Sequence, residues 1–224
     1  MAMPWPFLIL VAVFAILGAT AWYGEKQRRE ELKAWCRRRG FGLKIARQSG
    51  LERDYPGLKL FSRGHGRFAQ NTISGEWRGR RVKLMDYQYT TGSGKNRQTH
   101  KVGVVVIAAD HPVIPLSIRR ENPFDKVGEF LGADDIDFES AEFSRKFYVK
   151  SSDRKWAYDV IHQRTMDRLM RDDFQDLAFG FQELAVHRRG RFDPAGYEKA
   201  LDLGCDVLDL VPDYVVRQMK GEDR

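Results

Sequence analysis

The sequence predicts an α+β protein: an N-terminal transmembrane helix followed by a largely antiparallel sheet with packed helices. Three observations predict this fold class. No charged residue precedes Glu25, strand-like segments follow one another from residue 68 to 119, and helices and then further strands come after them. Strands in runs with short connections form antiparallel sheets. With 224 residues, 42% of them hydrophobic, the chain can bury one ordinary core, which excludes general disorder.

Residues 1–24 have the length and composition of a transmembrane anchor. Residues 5–23 are almost continuously apolar, and about 20 helical residues cover a hydrocarbon core about 30 Å thick. Trp5 at one end and Trp22 with Tyr23 at the other stand where aromatic rings prefer the interface. A cleaved signal peptide is the alternative, because Ala19-Thr20-Ala21 fits the cleavage rule, but the first six residues lack positive charge.

Residues 25–40 predict a basic juxtamembrane helix that ends at Gly40. This segment holds seven Lys and Arg residues against three Glu residues, an excess that prefers the cytoplasmic side of a membrane. We therefore predict a single-pass cell-membrane protein with its C-terminal domain in the cytoplasm and the lipid bilayer as a partner. The helix either lies on anionic lipid or continues the membrane helix as a stalk, and the stalk is the simpler interpretation.

Residues 41–220 predict the α+β domain, beginning with a strand at 41–45. Alternating apolar residues then indicate a four-stranded antiparallel meander at 68–77, 80–89, 98–109 and 113–119. The later elements are helices at 124–131, 139–145 and across 153–171, a short strand at 147–149, strands at 176–181 and 184–188, and a helix at 194–210. Asp193-Pro194 caps the last helix, since Asp accepts amide hydrogen bonds and Pro suits the first helical turn.

Charge is divided unevenly along this plan. The net charge is +4 for residues 1–40, +10 for the basic meander at 41–120, and −7 for the acidic part from residue 121 onward. Either the two parts of the domain attract each other within the fold, or the meander presents a positive surface to an anionic partner.

The meander supplies the candidate binding residues. The basic ones that we predict to bind an anion or a partner are Arg78, Arg80, Arg81, Lys83, Lys95, Arg97 and Lys101. Trp77, Tyr87 and Tyr89 lie among them and could stack on nucleic-acid bases. For a membrane-anchored protein the nearer anions are lipid headgroups. Anionic lipid headgroups or a protein partner are therefore favoured over nucleic acid.

Residues that could support metal binding or catalysis are dispersed. Cys36 and Cys205 form no C-x-x-C unit, so neither a redox dithiol nor a thiolate zinc site is encoded. A single disulfide between the two cysteines is the remaining alternative. The five histidines include no H-E-x-x-H motif. The acidic run at 134–139 lacks the glycine and the glutamate that an EF-hand requires.

Two glycine-containing stretches match nucleotide-binding motifs only in part. The loop at 90–95 is preceded by Tyr89 and followed by Asn96 where a phosphate-binding loop needs Gly and Ser or Thr. Residues 64–69 match the G-x-G-x-x-A spacing, but a strand rather than a helix is predicted after them. We therefore predict no cofactor, no metal and no catalytic residue, and the sequence points away from an enzyme.

Several longer motifs resemble a bacterial family of uncharacterised single-pass membrane proteins. The resemblance covers about residues 25–215 and is carried by Ser74-Gly75-Glu76-Trp77-Arg78-Gly79, the stretch 86–95, the stretch 134–144 and Trp156-Ala157-Tyr158-Asp159. It implies membrane attachment and supplies no catalytic residues.

The functional prediction is a membrane-tethered interaction domain, without an evident catalytic site, that binds a protein partner or an anionic surface. Two alternatives remain. One is an enzyme whose site is assembled only in three dimensions, for example from His100 and Asp86 facing each other across adjacent strands. The other is a nucleic-acid binder that uses the basic meander.

Overall fold

The chain forms two compact units, Met1–Gly40 and Phe41–Arg224. A computed structural model describes residues 5–120, 136–171, 174 and 176–222. The predicted helix at 124–131 lies outside the described residues.

The first unit is one continuous helix, α1, which runs from Trp5 to Arg39. Its N-terminal half exposes large apolar side chains, among them Ile9, Phe14 and Trp22. Gly40 follows with φ of 70°, the left-handed conformation that ends many helices. Within the described residues, one helix, Ile9–Arg39, is apolar and long enough to cross a membrane. The segments predicted as anchor and juxtamembrane helix therefore belong to a single helix.

The second unit is built on an eight-stranded sheet in which every neighbouring pair is antiparallel. The strands are β1 (Gly42–Lys44), β2 (His65–Trp77), β3 (Arg80–Thr91), β4 (Gln98–Ala108), β5 (Leu116–Arg120), β6 (Phe147–Ser151), β7 (Asp176–Phe179) and β8 (Glu183–Arg189). Their spatial order is β1-β2-β3-β4-β8-β7-β5-β6. Together with the helices, this sheet confirms the predicted α+β class.

The predicted four-stranded meander is wrong at its last strand. β2, β3 and β4 pair in sequence order, but β8 lies beside β4, and β5 pairs with β6 and β7 instead. The chain leaving β4 meets the β7–β8 turn, where the amides of Ala109 and Val113 donate to the carbonyls of Gln182 and Phe181. Because β8 occupies the position next to β4, the short connection to β5 does not form a hairpin.

The helices of the second unit are short except for one. They are α2 (Leu51–Asp54), α3 (Ala141–Lys146), α4 (Arg154–Val160), α5 (Gln163–Arg171), α6 (Pro194–Asp209) and α7 (Asp213–Lys220), with 3-10 turns at Lys59–Ser62 and Gly94–Asn96. Asp193 caps α6 as predicted, with Oδ1 accepting from the amide of Gly196 at 2.7 Å. Helix α7 was not predicted.

The two faces of the sheet are covered differently. Residues in register on antiparallel neighbours point to the same face. On the first face, Ile107, Leu184 and Val186 pack against α6 at Gly204, where a side chain would collide with them. The second face carries Met85 and Tyr87 and packs against the apolar side chains of the segment 51–61. We call these the helix face and the loop face.

Candidate functional site

The seven predicted basic residues lie in two groups at opposite ends of β3. Arg78, Arg80, Arg81 and Lys83 lie at or near the β2–β3 turn. Lys95 and Arg97 lie in the loop between β3 and β4, and Lys101 follows in β4 opposite Gln88. The 12 residues of β3 span about 35 Å. The structure therefore does not gather the seven residues into one patch.

Two of the four residues in the first group, Arg78 and Arg80, form ion pairs within the fold. Arg78 forms ion pairs with Asp206 and Asp209 of α6, both at 2.6 Å. Arg80 pairs with Asp209 at 2.8 Å and with Asp110 at 2.9 Å. The basic meander and the acidic C-terminal part thus attract each other inside the domain, as one of the two sequence interpretations expects.

Asp206 lies at the centre of this ion-pair cluster because Arg168 of α5 also donates to it, at 2.7 Å. Partial burial opposes its ionisation, but the hydrogen bonds from Arg78 and Arg168 outweigh that effect and lower the pKa of the Asp206 carboxyl. The Asp206 carboxylate is therefore charged at neutral pH, and it joins the β2–β3 turn and α5 to α6.

The other members of the basic set have fewer internal contacts. Lys83 Nζ lies 5.7 Å from the ring centre of Tyr55, and Arg81 is exposed opposite Glu76. Lys95, Arg97 and Lys101 are all exposed, and we call these three residues the hairpin end. All three residues of the hairpin end thus offer positive charge to solvent.

Of the three aromatic residues that lie among the basic ones, Tyr87 and Tyr89 are buried and Trp77 is half-buried. Tyr87 is 2% exposed, and its hydroxyl donates to the carbonyl of Phe61. Tyr89 is 8% exposed and stacks on the ring of His100. Trp77 donates through Nε1 to Asp202 of α6. These rings therefore do not form the exposed stacking platform that single-stranded nucleic acid requires.

His100 and Asp86 do not face each other, contrary to the expectation for an enzyme site. In the β3–β4 ladder His100 lies opposite Tyr89, and Asp86 lies opposite Gly103. Asp86 is buried on the helix face, where Asn71 donates to it at 2.8 Å and Tyr197 at 3.4 Å. His100 contacts the Thr91 hydroxyl at 2.8 Å. The two side chains belong to separate structural networks.

A feature that sequence reasoning missed is a groove of about 1030 Å³ on the loop face. Its floor is the half of the sheet made by β5 to β8, and one wall is the segment 57–63. Neither His100 nor Asp86 lines it. The polar members of its lining are exposed or half-buried, apart from His187, which is 8% exposed.

Two rows of side chains in register form the floor of the groove. One row runs across four strands as Tyr148, Arg119, Asp176 and His187, and the other as Lys150, Ser117, Ala178 and Ala185. The sequence does contain one signal for this floor. Polar residues stand at every second position of β5 and β6, a pattern typical of strands with one solvated face.

Potential metal ligands and thiols stay dispersed in the described part of the chain. No group of three or more His, Cys, Asp or Glu side chains there could hold a metal ion. Cys36 and Cys205 are free cysteines. Burial raises the pKa of the Cys205 thiol to about 11, so this thiol is protonated at neutral pH.

Comparisons with known proteins reveal a similar fold. The crystal structure of the mycobacterial trehalose monomycolate transport factor A, TtfA, matches with a TM-score of 0.60 at 14% sequence identity. The match covers 82% of this chain and 95% of that chain. At this identity the likeness shows the fold alone. No protein-family model matches the chain, and no curated protein does either.

Proposed function

We propose that this protein is a membrane-tethered interaction domain, anchored in the cell membrane by α1, with its second unit in the cytoplasm. In this role it is a non-catalytic factor whose hairpin end binds an anionic surface. The observation that carries the proposal is the exposure of Lys95, Arg97 and Lys101, in contrast to Arg78 and Arg80, whose charges are already paired with carboxylates.

The shared fold with a transport factor supports a role of the same kind. A factor acts through contact with other components, and such contact needs a tether and a recognition surface more than a catalytic site. The apolar residues of α1 provide a tether, and the basic residues that end α1, Arg37, Arg38 and Arg39, favour the cytoplasmic side.

Anionic headgroups of the inner leaflet are the first candidate surface. Each basic residue near such a surface contributes about 1 kcal/mol, so three residues contribute about 3 kcal/mol, or about a hundredfold in affinity. This attraction falls with salt because it acts between solvated charges. An acidic protein partner would use the same three side chains.

The test measures how close the hairpin end approaches lipid. The full chain carries a donor dye on Ser93→Cys and is reconstituted in nanodiscs that contain an acceptor-labelled neutral lipid, with or without phosphatidylglycerol. We expect energy transfer to rise with phosphatidylglycerol and to fall again with salt. The variant with Lys95, Arg97 and Lys101 changed to Gln should lose this rise.

A control variant has the same change in charge elsewhere: Arg164→Gln, Lys199→Gln and Lys220→Gln, all at exposed positions. It should keep the rise. If phosphatidylglycerol has no effect on the wild type, lipid is not the surface, and photo-crosslinking from position 93 in cells then tests for a protein partner. Crosslinks to neither lipid nor protein would refute the proposed function.

A further inference from the structure

The groove on the loop face has a strong excess of positive charge. Among the described residues, its lining includes five cationic side chains and one carboxylate, Asp176. The cationic residues are Lys59, Arg63, Arg119, Lys150 and Arg154. We call this feature the cationic groove.

The sequence of the floor explains why the groove is hollow. Ser117, Ala178 and Ala185 are three consecutive members of one row of the floor, and their short side chains leave space above the sheet. The longer side chains of Lys150 and Arg119 lie beside this space, at the end of that row and in the adjacent row. Lys59 belongs to the wall that the segment 57–63 forms, and Arg154 lies at the start of α4.

Asp176, the one carboxylate among the described lining residues, is already engaged by its neighbours. Asp176 lies 3.8 Å from Arg119 Nε and 3.5 Å from His187 Nδ1. It therefore offsets the charge of Arg119, whereas Lys59 and Arg154 are exposed and form no ion pair with a described residue. His187 adds no charge at neutral pH, because burial lowers the pKa of its imidazole despite the nearby Asp176.

We propose that the cationic groove binds a phosphate-bearing ligand, either the headgroup of a lipid or a soluble phosphate ester. A volume of about 1030 Å³ exceeds the needs of a single ion and suits a small molecule. A phosphate group offers several acceptor oxygens and up to two negative charges, which match the guanidinium and ammonium groups on three sides of the groove. The hydroxyl of Ser117 adds a donor at the floor.

This site is separate from the hairpin end. The cationic groove belongs to β5 to β8 and the segment 57–63, whereas the hairpin end lies in the loop between β3 and β4 and the adjoining part of β4. Neutralising the hairpin end should therefore leave ligand binding in the groove unchanged, so the two proposals can fail independently.

Isothermal titration of the full chain in a non-ionic detergent tests the proposal. The two probes are inorganic pyrophosphate and soluble dihexanoyl phosphatidylglycerol. Lys59→Gln with Arg154→Gln removes two exposed cations and should weaken binding about tenfold. Ser117→Trp fills the hollow without a change in charge and should abolish binding. Arg164→Gln with Lys199→Gln is the charge-matched control and should bind like the wild type.

The two probes distinguish the sources of the phosphate. Binding of pyrophosphate alone supports a soluble phosphate ester, and binding of the phosphatidylglycerol supports a lipid headgroup. The proposal is overturned if neither probe binds, or if the Lys59 and Arg154 double variant, with an unchanged thermal unfolding midpoint, binds as tightly as the wild type.

Discussion

Arg78 joins the β2–β3 turn to the acidic side of α6. Its guanidinium contacts two carboxylates, Asp206 and Asp209, and solvent screens these pairs because the side chain is 42% exposed. We expect Arg78→Gln to lower the free energy of unfolding by about 1 kcal/mol at pH 7. Arg81→Gln, at a neighbouring exposed position, should change it by less than about 0.5 kcal/mol.

The stabilisation that Arg78 contributes through Asp206 depends on pH. The pKa of Asp206 is lowered in the fold, so its contribution is present above its unfolded value of 3.8 and is lost as pH falls through the lower folded value. The difference between wild type and Arg78→Gln in urea unfolding should therefore shrink in acid. An equal difference at pH 7 and pH 3 would contradict the assigned role.

His187 makes the fold sensitive to mild acid. Burial lowers the pKa of its imidazole, and the charged groups that face it are Asp176, Arg63 and Arg119. For a base with a lowered folded pKa, the unfolded chain binds the proton first, so stability falls as pH drops below about 6.5. His187→Gln should reduce the slope of unfolding free energy between pH 7.5 and 5.5. An unchanged slope would show that His187 does not titrate on unfolding.

Gly57 allows the segment 57–63 to approach the β7–β8 turn closely, because glycine has no side chain. A Cβ at Gly57 would lie 2.7 Å from Gly180 Cα and 3.0 Å from the amide nitrogen of Phe181, and backbone cannot move aside as a side chain can. We expect Gly57→Ala to destabilise the fold by about 1–3 kcal/mol in thermal unfolding. Gly42→Ala is the control, because its nearest neighbour, the Ser74 carbonyl oxygen, lies at 3.8 Å. Equal stabilities of the two variants would refute this close approach.

Local signals predicted elements well, and strand order poorly. Asp193-Pro194 caps α6 and Arg78-Gly79 forms the β2–β3 turn because these structures depend on neighbouring residues. The insertion of β8 beside β4 depends on residues about 80 positions apart, which no local pattern encodes. For the same reason, the sequence shows that Arg78 and Arg80 are basic, but it does not show that they pair with carboxylates of α6.

Local sequence patterns also did not predict the cationic groove. Lys59, Arg119, Lys150 and Asp176 come from four separated parts of the chain, and only the strand order β8-β7-β5-β6 brings their strands and the segment 57–63 together. Alternation of polar residues along β5 and β6 indicates a solvated face, but it does not indicate which other segment of the chain forms a wall beside that face.

At the scale of the whole molecule, we propose that α1 tethers the second unit to the cytoplasmic side of the membrane. α1 has the required length and apolar surface, and its last turn is basic. The most direct test fuses a reporter pair to the C-terminus of the full chain, one active only in the cytoplasm and one only outside it. We predict activity of the cytoplasmic reporter on an uncleaved, membrane-bound product. Activity of the external reporter, or a product shortened near Ala21, would contradict the account.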